Sequence, residues 1–325
     1  MSMKEPILRV ENLRKKYGSA EAVCGISFEV RPGEFFGLLG PNGAGKTTTI
    51  GMLTGWIEPS GGRVEIRGMD LYAGPREAKR VIGLVPQSFA FYPALTAGEN
   101  LTFFGRLYGM RGKALEDRKA FVLEMVSLAD RADQSVGTFS NGMKRRLNIA
   151  IGLLHEPALL ILDEPTVGID AQSRNGILES LRRLNSDGMT MLYTTHYIEE
   201  AQDLCDRVAI VDRGKVIALD APRALIQSLG KGIIRMEFHQ ALDEFLLEQI
   251  KTYGSVTWVD GQRRRVHLET DRTGPVLGEL LDFKKNREAL FKNLEVLEPD
   301  LETVFIHLTG RTLRDSPARE MTDGS

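Results

Sequence analysis

Residues Gly40-Pro41-Asn42-Gly43-Ala44-Gly45-Lys46-Thr47, with Thr48 next, match the spacing G-x-x-x-x-G-K-[ST] in full. That spacing constrains the fold because it works only between a strand and a helix. Residues 34–39 form a short apolar run of strand length, and residues 47–54 continue as a helix opening. The glycines let successive backbone N–H groups turn inward on phosphate oxygens. Lys46 is placed to reach β- and γ-phosphates, the Thr47 hydroxyl to hold Mg²⁺, and the helix N-terminus adds its positive end. Strand, loop and helix in this order predict an α/β fold that binds a nucleoside triphosphate.

A loop of this kind serves many chemistries, so the segments after it decide between them. Ala158-Leu159-Leu160-Ile161-Leu162-Asp163-Glu164 is five apolar residues ending in two carboxylates. It reads as a buried strand delivering acids at its C-terminal edge, where α/β sheets bind ligands. Beside the phosphate loop, Asp163 is assigned to the Mg²⁺ hydration shell and Glu164 to orienting or deprotonating the attacking water. Without that loop, paired acids after a strand read as a helix cap or a solvated loop. Ser140-Asn141-Gly142-Met143-Lys144 precedes apolar residues at Leu147, Ala150, Ile151 and Leu154, a helical spacing with Ser140 as N-cap candidate. This is a second helix N-terminus suited to an anion.

At these residues the chain resembles the ATP-binding subunits of ABC transporters, whose signature LSGGQ is here Phe139-Ser140-Asn141-Gly142-Met143. Met143 is a familiar variation, whereas Asn141 replaces a glycine and puts a side chain beside the phosphate; asparagine tolerates unusual backbone angles, so the contact is expected to survive. The resemblance implies that Tyr17 stacks on adenine, although a tyrosine at a strand end also reads as core. It further implies that Gln87 approaches Mg²⁺ and the attacking water, that Asp170 in Val167-Gly168-Ile169-Asp170 belongs to the D-loop, and that His196 contacts the γ-phosphate. ATP would lie between the loop of one subunit and the signature of another, so Ser140, Asn141 and Gly142 would complete a partner's site. A homodimer or a paired ATPase subunit, and a separate transmembrane permease, follow as expected partners.

The formal net charge of −2 gives no reason to expect nucleic acid as a partner, and Lys144-Arg145-Arg146 and Arg263-Arg264-Arg265 read as solvated faces. Cys24 and Cys205 make no disulfide framework or metal-ligand spacing. The N-terminus lacks a signal-peptide core, and the longest apolar runs fall far short of the ~20 residues needed to span a bilayer. The expected location is therefore peripheral, at the cytoplasmic face of the cell membrane.

Along the chain, residues 7–10 and 25–30 predict antiparallel strands at the edge of a mixed sheet. Thr96-Ala97-Gly98-Glu99 is a capping box opening a helical insert, and residues 209–217 read as a hairpin closing an ATP-binding domain over 7–230. Gly230-Lys231-Gly232 is a plausible linker to an accessory domain over 231–310. There, strands near 233–238, 256–259, 266–269 and 294–297, helices near 241–253 and 275–283, and a tight turn at Asp260-Gly261 give a βαββαβ order that fits a small α+β, ferredoxin-like module. Residues 301–310 resemble the ending of drug-resistance export ATPases of the daunorubicin type, and the polar residues 311–325 are expected to be a disordered tail. The functional expectation is ATP hydrolysis powering export through a membrane partner. The alternative is a soluble ABC-type ATPase acting on a non-membrane complex, although the tandem domains or coiled coils usual there are not seen. A module that barely hydrolyses ATP requires that Asn141 spoil the signature.

Overall fold

The computed structural model describes residues 5–229, 232–285, 291–297 and 300–310. The chain divides into two compact units, with the division after Leu219. The linker expected at 230–231 and the tail at 311–325 lie outside the described residues.

In the first unit, strands β1 (Leu8–Tyr17), β2 (Ala20–Val30), β3 (Phe35–Leu39), β4 (Gly61–Ile66), β5 (Met69–Asp70), β6 (Ile82–Val85), β7 (Leu159–Asp163), β8 (Thr190–Thr195), β9 (Arg207–Asp212) and β10 (Lys215–Asp220) form two sheets. One has the order β2-β1-β4-β5 with antiparallel pairs. The other, β10-β9-β3-β8-β7-β6, is parallel from β9 to β6. The N-terminal strands thus make their own sheet, and the antiparallel edge of the mixed sheet is β10. Arg213 and Gly214, both at positive φ, turn β9 into β10 as a two-residue hairpin. β3, β7 and β8 are buried along their whole length, as expected for strands covered on both faces.

Helix α1 (Lys46–Leu53) follows β3. Its Ile50, Met52 and Leu53 join Leu8, Val10, Phe36, Leu38 and Ile161 in a single core, and Phe28 stacks on Phe36 across the layers at 5.1 Å. A short α2 (Pro75–Arg80) precedes β6, and α3 (Ala97–Leu107), α4 (Gly112–Met125) and α5 (Asn141–Leu153) form the helical insert. The capping box at Thr96 and Glu99 is present, with both reciprocal hydrogen bonds. Helices α6 (Ala171–Ser186) and α7 (Ile198–Leu204) connect β7, β8 and β9.

The second unit contains α8 (Pro222–Ser228), β11 (Gly232–Phe238), α9 (Glu244–Lys251), β12 (Ser255–Val259), β13 (Arg265–Thr270), α10 (Thr273–Lys285), β14 (Phe291–Leu297) and α11 (Leu301–Thr309). Its antiparallel sheet has the order β12-β13-β11-β14, a split βαβ arrangement in which β13 lies between β11 and β12. Ile234, Met236, Val266 and Leu268 pack with Leu247, Ile250, Val276 and Leu280 into a separate core. Helix α8 packs against α11, so the division precedes it instead of falling at 230. The β12–β13 connection is wider than a two-residue turn: the reversal sits at Arg263, with φ 53°, and Asp260 Oδ1 accepts from the Arg264 and Arg265 amides.

Candidate active site

The parallel order β3-β8-β7-β6 brings four separate sequence segments to one edge. The phosphate loop follows β3, His196 follows β8, Asp163 and Glu164 end and follow β7, and Gln87 lies just past β6. Gly45, at φ 99°, turns the loop into α1, and a Cβ there would stand 2.6 Å from the Ala22 carbonyl oxygen of β2. Close approach of β2 explains why no side chain fits at that position. Tyr17 pairs with Ala20 at the tip of the same hairpin and is 48% exposed, with the Lys15 ammonium 5.1 Å from its ring centre. It is not a core tyrosine.

Lys46 is buried. Its ammonium donates to Gly40 O at 2.7 Å and Pro41 O at 3.1 Å and pairs with Glu164 Oε1 at 3.0 Å. His196 Nδ1 stands 3.3 Å from the same carboxylate oxygen, at ion-pair distance, and Gln87 Nε2 lies 3.5 Å from Glu164 Oε2. The Thr194 hydroxyl donates to Asp163 Oδ1 at 2.7 Å and accepts from the Glu164 amide at 2.9 Å. Glu164 adopts φ 45°, a left-handed conformation that costs a non-glycine residue roughly 1–2 kcal/mol and turns its carboxylate off the strand.

Burial shapes the charges here. It lowers the Lys46 ammonium from its ordinary value, against the attraction of Glu164, and raises the Asp163 carboxyl, against hydrogen bonds from Thr194 and Thr47. It also works to raise Glu164, but His196 and Lys46 together outweigh it and hold that carboxylate below the usual glutamate range. The result is an ionised base candidate beside a buried ammonium, a pattern common at catalytic sites.

Lys46, Thr47, Gln87, Asp163, Glu164 and His196 therefore converge. Ser140, Asn141 and Gly142 lie instead at the start of α5, where Ser140 caps the helix by accepting from the Met143 amide. A Cβ at Gly142 would meet Ser173 Oγ of α6 at 2.4 Å. Asp170 is the N-cap of α6, accepting from the Ser173 amide at 2.9 Å.

Three features escaped the sequence reading. Thr194 matters because β7 and β8 pair Asp163 with Thr194, a register that one sequence does not reveal. Buried Glu200 accepts from the Tyr193 and Thr195 hydroxyls, each at 2.8 Å, and so braces the strand end before His196. Arg145 is 2% exposed, which corrects the expectation that Lys144-Arg145-Arg146 is a solvated face. No spacing in the sequence marked it, since the apolar stripe at Leu147, Ala150, Ile151 and Leu154 does not include its position.

The family model described as ABC transporter matches residues 23–167. The linearmycin resistance ATP-binding protein of Bacillus subtilis is 44% identical over 311 residues, covering 95% of this chain and all of that protein. The Nod factor export ATP-binding protein I of Burkholderia orbicola is 40% identical over 94% of this chain and 97% of its own length. The daunorubicin resistance ATP-binding protein of Streptomyces coeruleorubidus is 36% identical over 96% and 98%. Among solved structures, the ATP-binding subunit of an ABC transporter aligns with a TM-score of 0.63 at 32% identity, over 69% of this chain and 93% of that one. A dimeric ATP-binding cassette in a post-hydrolysis state with ADP and Pi aligns at 0.60 and 27%, over 66% and 98%. With its phosphate loop, acidic strand end and signature helix built as described, the chain belongs to the ATP-binding subunits of ABC transporters.

Proposed function

We propose that this chain binds and hydrolyses ATP as one of a pair of subunits and thereby powers export through a separate membrane-embedded partner. The carrying observation is the convergence of Lys46, Gln87, Asp163, Glu164 and His196 at one sheet edge. All three protons of the Lys46 ammonium are engaged, one of them by Glu164, so an arriving γ-phosphate competes with that carboxylate for Lys46. Transfer of Lys46 to the phosphate frees Glu164 Oε1 to accept a proton from the attacking water, while Gln87 and His196 hold the carboxylate and the water in place. His196 also faces the γ-phosphate. Tyr17 stacks on the adenine, and the backbone of residues 40–48 holds the phosphates.

The hard oxygen donors Thr47 and Asp163, close to each other and to Lys46, with the Gln87 amide nearby, suit Mg²⁺. When bound there, Mg²⁺ would neutralise charge on the β- and γ-phosphates. Ser140, Asn141 and Gly142 would meet the γ-phosphate of the paired subunit, with Asp170 at the same junction. Among the described residues no helix is long and apolar enough to cross a membrane. Tyr92, Phe103, Leu107 and Tyr108 are exposed in and beside α3, an apolar surface suited to the permease at the cytoplasmic face. The relatives named for linearmycin, Nod factor and daunorubicin support export, with the cargo chosen by the membrane partner.

The pairing is tested by light scattering on full-length Glu164→Gln protein. ATP with Mg²⁺ should double the mass, because a substrate that is not cleaved keeps the pair closed. A mass unchanged by ATP, in a variant that still binds the nucleotide, contradicts the shared site.

A further inference from the structure

Residues 86–90, between β6 and the helical insert, have no regular secondary structure, so their backbone groups need partners elsewhere. Two buried side chains of α5 supply them. Arg145 donates through Nη1 to Pro86 O at 2.8 Å and through Nη2 to Gln87 O at 2.7 Å. Asn148 Nδ2 donates to Pro86 O at 3.3 Å and Ser88 O at 3.4 Å, and its Oδ1 accepts from the Ala90 amide at 3.1 Å. The Arg145 guanidinium also lies over the Phe89 ring, 5.0 Å from its centre. Both residues are 2% exposed.

Arginine keeps its charge when buried, so a guanidinium held mainly by carbonyls is an expensive way to satisfy two acceptors. What it offers over a neutral donor is a rigid planar fork that fixes two successive carbonyls at once. The residue whose carbonyl receives the shorter of these bonds is Gln87, whose side chain reaches Glu164 Oε2.

We propose that Arg145 is a positioning residue for hydrolysis: by clamping the backbone at Pro86 and Gln87 it sets the Gln87 amide against Glu164, and so acts on the chemical step without touching the nucleotide. This rests on the proposed role of Gln87. It also ties the start of α5, which carries the signature, to the residue that orients the base.

The test is a double-mutant cycle on the full-length chain, with kcat and KM for ATP measured in Arg145→Met, Arg145→Lys, Gln87→Ala and the combined variants. Arg145→Met should lower kcat by about tenfold, the equivalent of ~1.4 kcal/mol, with KM changed by less than about threefold. Arg145→Lys, which keeps a cationic donor, should recover part of the loss. In the Gln87→Ala background the arginine substitution should cost less than about twofold more, because both act through one side chain. The inference is overturned if Arg145→Met costs the same factor in both backgrounds, or if it raises KM and leaves kcat unchanged. A Gln87→Ala variant at the parent rate overturns the role of Gln87 itself, a distinct failure. Should Arg145→Met not fold, the same cycle with Arg145→Lys decides by the same criterion of non-additivity.

Discussion

Replacing Lys46 with methionine should destabilise the protein well beyond the loss of one surface charge. The ammonium is buried and spends its donors on Gly40 O, Pro41 O and Glu164 Oε1, so the variant leaves a buried carboxylate without its closest cation. Removing one partner of a buried ion pair costs about 3–5 kcal/mol. Glu164 keeps His196 and Gln87 nearby, which places the cost at the lower end. Protonation gives an independent ceiling: neutralising an ordinary glutamate at pH 7 costs about 3.7 kcal/mol, at 1.36 kcal/mol per pH unit. The lower end of that range lies below the ceiling, giving about 3 kcal/mol, or a melting temperature roughly 6–12 °C lower for a domain of this size.

Glu164→Gln should cost only about 1 kcal/mol, since the new amide oxygen still accepts from Lys46 and the two loop carbonyls remain. The pH dependence carries a definite sign. In the parent, Glu164 is held below its ordinary value, so its contribution is present above the unfolded pKa and lost as pH falls through the folded one. Without Lys46, the burial that works to raise Glu164 is opposed by His196 alone, so Glu164 moves upward and the variant's loss relative to the parent shrinks as pH falls from 7 towards 5. Circular-dichroism melts at both pH values, without nucleotide, should therefore show the gap between Lys46→Met and parent narrowing at pH 5. A variant melting within about 1 °C of the parent at pH 7, or a gap that widens in acid, would refute the buried pair as described.

Two further outcomes concern the signature and the second unit. Asn141→Gly should change ATP-dependent dimerisation by about tenfold or less, equivalent to ~1.4 kcal/mol, because Ser140 and the α5 amides still form the helix N-terminus; sedimentation at graded ATP measures this, and abolished hydrolysis would show the asparagine to be a required contact. A fragment ending at Asp220 should still bind ATP, since the two units have separate cores, while transport by the assembled complex should weaken; a folded fragment unable to bind a fluorescent ATP analogue would contradict that independence.

The phosphate loop and the Asp163-Glu164 strand end were legible because their chemistry is local: glycine spacing and an uninterrupted apolar run fix the backbone over a few residues. Gln87 and His196 were reached only through resemblance, because their nearness to Glu164 depends on strands far apart in sequence becoming neighbours. Arg145 was misread for a related reason: a run of three cations does not reveal which side chain turns inward, and the carbonyls it meets lie in a segment without regular structure. The inner βαββαβ order of the second unit followed from periodicity, whereas the flanking helices α8 and α11 were not read, and the sheet order, the wider loop at 260–264 and the packing of α8 on α11 are tertiary choices that periodicity does not encode.

The most direct test of hydrolysis at this edge is single-turnover cleavage of ATP by the full-length chain carrying Glu164→Gln, beside a titration of its ATP affinity. Loss of a positioned general base lowers rates by about 10²–10⁴-fold. The rate constant should fall into that range while affinity stays within about threefold of the parent. Cleavage at the parent rate, with ATP bound as tightly, would contradict the assignment of Glu164 and move the chemistry elsewhere.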